Sequence, residues 1–157
     1  MKKYTAITLL LAGITISLIA LTSASKPDLR SQLIGEWRNV YVKVNMHTKS
    51  KPAVVMEADS SNWEKRLGIK PIRTHFLKDG TYYSEYRNLK DSTVRRPAGT
   101  WSLKGDSLSM TQLTPDKSIL KLHLSITHDQ ATFHGMIDFD GEGVDNDEYF
   151  GIQKKFK

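Results

Sequence analysis

Three turn signals spaced about 25 residues apart constrain this chain more than any other feature. They are Lys78-Asp79-Gly80, Lys104-Gly105-Asp106 and His128-Asp129-Gln130. Each lies between two runs rich in Tyr, Trp, Thr, Leu, Ile and Phe, in which apolar and polar residues alternate. A period of two puts one face of an extended chain into a core and the other into water. A Gly- or Asp-bearing turn between two such runs reads as an antiparallel hairpin. Hairpins that follow one another imply a meander, and a meander of this size removes its exposed edges by closing on itself. The expected fold is therefore an all-β antiparallel barrel.

Read along its length, the chain gives roughly nine strands. The first spans residues 33–44, with Val40, Val42 and Val44 on one face and Trp37, Asn39 and Tyr41 on the other. Residues 48–52 are a turn-rich break, and residues 53–56 a short second strand. One helical signal precedes the third strand. Ser61-Asn62-Trp63-Glu64 has the form of a capping box, Gly68 is placed to end the helix, and Pro71 blocks its continuation. Trp63 and Leu67, four apart, share a face suited to packing on a barrel end. Residues 72–77 and 81–87 flank the first turn, a polar loop spans 88–97, and 99–103 and 108–113 flank the second. In residues 119–127, Leu120, Leu122, Leu124 and Ile126 alternate with Lys121, His123, Ser125 and Thr127, so one face is core and the other wet. Residues 131–139 pair back, with Phe133, Ile137 and Phe139 in phase, and the last strand covers 147–154.

The first 25 residues have a different character. Lys2 and Lys3 precede an apolar stretch from residue 4 to 21, followed by Thr22-Ser23-Ala24 and then Lys26-Pro27-Asp28. A positive start, an apolar middle and small residues at a cleavage point form the layout of an export signal, here residues 1–25. The alternative is a retained anchor, since about 18 apolar residues stand at the lower edge of a spanning helix. The small residues favour removal, leaving no stable membrane span and one domain over residues 26–157. The chain contains no cysteine, which removes lipoprotein anchoring, disulfides, thiolate nucleophiles and Cys-based zinc sites from consideration. An exported domain of this length then rests on a single hydrophobic core.

Without Lys2 and Lys3 the chain carries 21 basic against 17 acidic residues, a net of +4. Asp138, Asp140, Glu142, Asp145, Asp147 and Glu148 fall in one short segment without Lys or Arg, so the remainder is strongly basic. Such a body suits an anionic surface such as lipid headgroups or acidic glycans. The basic residues are scattered, however, as on an ordinary solvated surface, and export argues against nucleic acid as a partner.

Gly35-Glu36-Trp37 at the start of the first strand resembles the Gly-x-Trp signature of lipocalins. FLKDGTY (residues 76–82) and GTWSLKGDSL (residues 99–108) resemble hairpin phrases of short exported bacterial lipocalin-like domains. The resemblance runs from about residue 33 to residue 153. It implies an up-and-down barrel of about eight strands, here with one short helix between strands 2 and 3, around a cavity for a small apolar or amphipathic ligand. In lipocalins a basic residue near the end of the barrel packs across the signature Trp. The last arginine here is Arg96, so Lys154 or Lys155 would take that place.

Gly35 and Trp37 read as structural, the glycine bending the chain at the barrel base and the indole plugging the closed end. Phe76, Tyr82, Tyr86, Trp101 and Met110 are the cavity candidates, because aromatic and thioether surface holds apolar ligands while tyrosine hydroxyls supply oriented polar contacts. Ordinary barrel core is the competing role for the same five residues. Which face turns inward around Tyr82 and Tyr83 stays open. Asp138, Asp140 and Glu142, with Gly141 between them, look like the first half of a calcium loop, but a twelve-residue loop needs a carboxylate at Tyr149, so a solvated acidic loop is the default. His47, His75, His123, His128 and His134 lack zinc-ligand spacing, although His123 and His134 are expected to be cross-strand neighbours. No nucleophile elbow, phosphate loop or dinucleotide fingerprint is present, and no cofactor is implied. The reading is a non-enzymatic carrier of a small hydrophobic or amphipathic ligand. Two rivals remain: an interaction module with a filled barrel that meets an anionic partner through Arg95 and Arg96, and an enzyme on the same barrel. Open volume inside the barrel separates the first two, and a titrating polar pair there would be required for the third.

Overall fold

A computed structural model of the protein describes residues 28–47 and 53–156; the export signal expected over residues 1–25 and the break expected over 48–52 lie outside them. Ten strands and two short helices follow one another as α1 (Leu29–Leu33), β1 (Gly35–Met46), β2 (Val54–Asp59), α2 (Trp63–Leu67), β3 (Arg73–Phe76), β4 (Thr81–Arg87), β5 (Thr93–Arg95), β6 (Ala98–Lys104), β7 (Ser107–Thr114), β8 (Ser118–Thr127), β9 (Gln130–Ile137) and β10 (Asp147–Lys155). Eight of the strands form a closed antiparallel barrel. Neighbours run β1, β3, β4, β6, β7, β8, β9, β10, and β10 pairs back onto β1. β2 pairs with the upper half of β1 and β5 with the end of β4, both outside this path. The three expected turns join barrel neighbours, each through a residue of positive φ: Gly80 (86°), Gly105 (62°) and His128 (56°).

The closed end is packed solid. Leu33, Trp37, Phe76, Tyr82, Trp101, Leu108, Leu124 and Ala131 are buried in one cluster. The two indoles there have partners for their N–H groups: Trp37 Nε1 donates to the Leu33 carbonyl at 2.6 Å and Trp101 Nε1 to the Leu77 carbonyl at 3.1 Å. Lys155 takes the place expected of a basic residue. Its Nζ lies 5.2 Å from the Trp37 ring centroid and donates to the Gln32 carbonyl at 2.7 Å. Gly35, at φ 129°, takes a backbone conformation that L side chains rarely adopt, and the Lys155 stem passes 3.0 Å from where a Cβ would stand. A smaller cluster of Val42, Val44, Ala58 and Trp63 sits at the other end, under α2.

Several elements differ from the sequence reading, each for a local reason. Leu33 ends a helix instead of starting a strand. α1 is a single turn capped by Asp28, whose carboxylate accepts from Ser31 N at 2.7 Å, and one turn is too short to show a helical period. In β1 the two expected faces merge. The pairing with β10 shifts between Asn39 and Tyr41, a bulge at Val40, so Trp37 and Asn39 are buried below it and Val42 and Val44 above it. The α2 helix forms where expected, but without the capping box. Asn62 is the N-cap and makes no side-chain cap bond, Ser61 Oγ donates to Asp59, and Glu64 pairs with Lys70 at 2.9 Å. Gly68 does end α2, in the left-handed conformation. The loop expected over 88–97 contains β5, whose three side chains are exposed and so show no alternation. β2 is longer than expected, and Phe139 lies beyond the end of β9 and is exposed.

Candidate ligand-binding chamber

Above the packed end the barrel encloses a cavity of about 410 Å3. Its walls are chemically unlike. β7, β8 and β9 contribute only apolar side chains: Met110, Leu120, Leu122, Phe133 and Ile137. The opposite wall is made by four adjacent strands, β4, β3, β1 and β10, and contributes Ser84 and Tyr86, Thr74, Asn39, and Tyr149 and Gln153. Phe76 and Ile72 complete this side below and between the polar groups, and Arg95, Asp138 and Phe139 stand at the rim.

The pairing register explains the polar wall. Thr74 and Ser84 are direct partners across β3 and β4, and Asn39 and Gln153 across β1 and β10. The first pair is joined by a 2.9 Å bond between hydroxyls, the second by Gln153 Nε2 donating to Asn39 Oδ1 at 3.3 Å. All four residues are buried. Gln153 Oε1 is fully enclosed and has no hydrogen-bond partner. Two residues above it on β10, Gly151 leaves room for the Tyr149 ring, which lies across it. Desolvation, reinforced by the nearby Tyr86, pushes the Tyr149 hydroxyl up to about 12, against a hydrogen bond with Asn39 that acts in the opposite direction. Desolvation also raises Tyr86, while Arg95, whose guanidinium carbon is 5.8 Å from that ring, acts to lower it. Both phenols are thus held neutral at physiological pH. The other titratable groups among the described lining residues are Arg95 and Asp138, at the rim.

Of the five cavity candidates, Phe76, Tyr86 and Met110 line the chamber. Tyr82 and Trp101 do not. They lie in the packed end, where Trp101 meets Phe76 edge-on at a centroid distance of 5.7 Å. Tyr82 faces inward, whereas Tyr83 faces out and stacks on His75 at 4.3 Å. Asn39, Thr74, Ser84, Tyr149 and Gln153 were not singled out by their residue types. Their signal is phase: Ser84 keeps step with Tyr82 and Tyr86, Thr74 with Ile72 and Phe76, and Gln153 with Tyr149 and Gly151. A small or amide side chain at an inward position of a barrel strand marks a polar spot in the lumen.

The acidic segment borders this end of the barrel, where Asp138 and Phe139 join the chamber lining. Asp147 is completely buried, and its carboxylate accepts from His47 N at 2.8 Å, Phe139 N at 2.8 Å and Asp140 N at 3.2 Å. Burial acts to raise its pKa, but the three amides and the neighbouring His47 together hold it below the usual carboxylate value. Asp138, Asp140 and Asp147 bring carboxylate oxygens within 4.8 Å of one another. Glu142, the third of the expected calcium ligands, instead accepts from Asn146 Nδ2 at 2.6 Å, and Asp138 and Asp140 accept from backbone N–H groups of their own loop. On the outer surface His123 and His134 are cross-strand partners with ring centroids 5.9 Å apart, and Asp106 Oδ2 lies 3.6 Å from His123 Nδ1.

In comparisons with known proteins, no family model and no curated sequence matches this chain. Among the described residues no helix is long and apolar enough to cross a membrane.

Proposed function

We propose that this protein is an exported, lipocalin-like carrier that binds a small hydrophobic or amphipathic molecule inside its barrel and performs no chemistry on it. The observation that carries the reading is the unfilled chamber. About 410 Å3 left open above a densely packed base falls within the range of small-molecule sites. A barrel serving only as a scaffold would bury more side-chain surface by filling that space, since interiors otherwise pack to crystal density. The lipocalin resemblance is supported by Lys155 lying across Trp37 at the closed end. Export is supported by the layout of residues 1–25, and the lack of cysteine argues against a lipid-anchored form.

Native mass spectrometry of the mature protein, purified from its own host without detergent, tests this reading. A reproducible excess mass that is lost on denaturation and recovered in organic extract is expected. A clean apo mass, together with retention of the protein on anionic vesicles or acidic glycans through Arg95 and Arg96, would favour the interaction module instead.

A further inference from the structure

The chamber's polar wall says more about its occupant than its volume does. Gln153 is 8% exposed, it lines the chamber, and its Oε1 is enclosed without a partner while Nε2 is already engaged by Asn39. A buried carbonyl oxygen left unpaired costs about 1–3 kcal/mol, which a donor brought in by the ligand would recover as the Gln153 amide turns that oxygen towards the chamber it lines. The neighbouring Thr74–Ser84 pair shares a single hydrogen bond between two hydroxyls, so one hydroxyl hydrogen remains available. In addition to the Tyr86 and Tyr149 hydroxyls, the wall thus offers one acceptor in need of a donor and one donor in need of an acceptor, with no charged side chain beside them. The only cation among the described lining residues, Arg95, is at the rim, where Asp138 also stands. An ionised carboxylate pushed inward would meet the Gln153 oxygen and find no counter-charge, a costly burial. Across the chamber, Met110, Leu120, Leu122, Phe133 and Ile137 demand hydrocarbon.

We propose that the occupant is a neutral amphiphile that enters with a hydroxyl or carboxamide leading, donates from that group to Gln153 Oε1, accepts from the Thr74–Ser84 pair, and lays its hydrocarbon against β7, β8 and β9. This inference rests on the carrier reading and adds the chemical class of the cargo.

Four probes of matched chain length test it on the intact mature protein: decan-1-ol, decanamide, methyl decanoate and decanoate, with dissociation constants taken from ligand-observed NMR titrations. The alcohol and the amide are expected to bind about tenfold more tightly than the ester, which can only accept, and than the carboxylate. In Gln153→Met, which keeps the side-chain length and removes the amide, the preference for the donors over the ester should fall to about twofold or less. Ester or carboxylate binding equal to or tighter than the alcohol in the unaltered protein would overturn the donor assignment while leaving the carrier standing. Failure of all four probes to bind would overturn the carrier reading and this inference with it. The wild-type series decides the matter even if the variant does not fold.

Discussion

The two ends of one barrel are built from the same alternating strands yet solve different problems. At the closed end the inward positions carry mostly large apolar side chains, with Lys155 lying across Trp37, and the two indole N–H groups are matched to the Leu33 and Leu77 carbonyls. One step further along the same strands, the inward positions of β1, β3, β4 and β10 become Asn39, Thr74, Ser84 and Gln153. There space is left open and an acceptor is left unmatched. Volume and polar satisfaction change together. An end that is full and satisfied holds the fold, and an end that is hollow, with Gln153 Oε1 and Asp138 Oδ1 buried and unpaired, is prepared for something else.

Substitutions should therefore divide by end. The largest effect is expected at the base. Trp37→Ala removes a fully buried indole and should cost about 3–5 kcal/mol in denaturant unfolding, enough to threaten folding altogether. A loss under about 1 kcal/mol would mean that the base is not the stabilising end. Next comes the loop bordering the chamber. Asp147→Asn replaces acceptor-only oxygens that serve three amides and should lower the thermal midpoint by roughly 5–10 °C at neutral pH. Because the folded-state pKa of Asp147 is depressed, its contribution is present above the unfolded value near 3.8 and is lost as pH falls below it. The gap between wild type and Asp147→Asn should accordingly narrow in acid. A gap that widens in acid would contradict the assignment.

The chamber should also respond at the alkaline limit. Tyr149 titrates near 12 in the folded protein against 10.0 for a free phenol, so the stability linked to its neutral form is complete below pH 10 and declines as pH rises towards 12. Tyr149→Phe should flatten that decline in urea unfolding curves measured between pH 9 and 11.5. An unchanged slope would place the titration elsewhere. Lys155→Met is expected to cost about 1 kcal/mol, through loss of the bond to the Gln32 carbonyl and of the cation over Trp37. Ser84→Ala is expected to cost about 1 kcal/mol, because it leaves the buried Thr74 hydroxyl without its protein partner in a chamber with room for water to replace it. A cost comparable to that of Trp37→Ala would erase the distinction between the two ends.

The fold was legible because its signals are local and repeated. Asp79-Gly80, Lys104-Gly105 and His128-Asp129 fix three hairpins, and the alternation in residues 119–127 fixes which face of β8 is buried. The signals that failed were of two kinds. Some were too short, as in α1 and β5. Others depended on a partner strand, as with the bulge at Val40, which no reading of β1 alone places. The chamber was half legible. Phe76, Tyr86 and Met110 have the surface expected of a lining residue, and so do Tyr82 and Trp101, which differ only in lying nearer the closed end. Depth along a barrel is set by register and not by residue type. The polar wall was harder still, since Thr74, Ser84, Asn39 and Gln153 become a site only when the β3–β4 hairpin, β1 and the distant β10 lie side by side.

The claim that the chamber is the binding site is tested most directly by filling it. Leu122→Trp places an indole into the chamber from β8, opposite the polar wall. Fluorescence titration with N-phenyl-1-naphthylamine should give saturable binding of one equivalent to the wild-type protein, and loss of at least tenfold in affinity in Leu122→Trp with its far-ultraviolet circular dichroism unchanged. Equal binding to wild type and to the folded, filled variant would place the ligand outside the barrel and contradict the account.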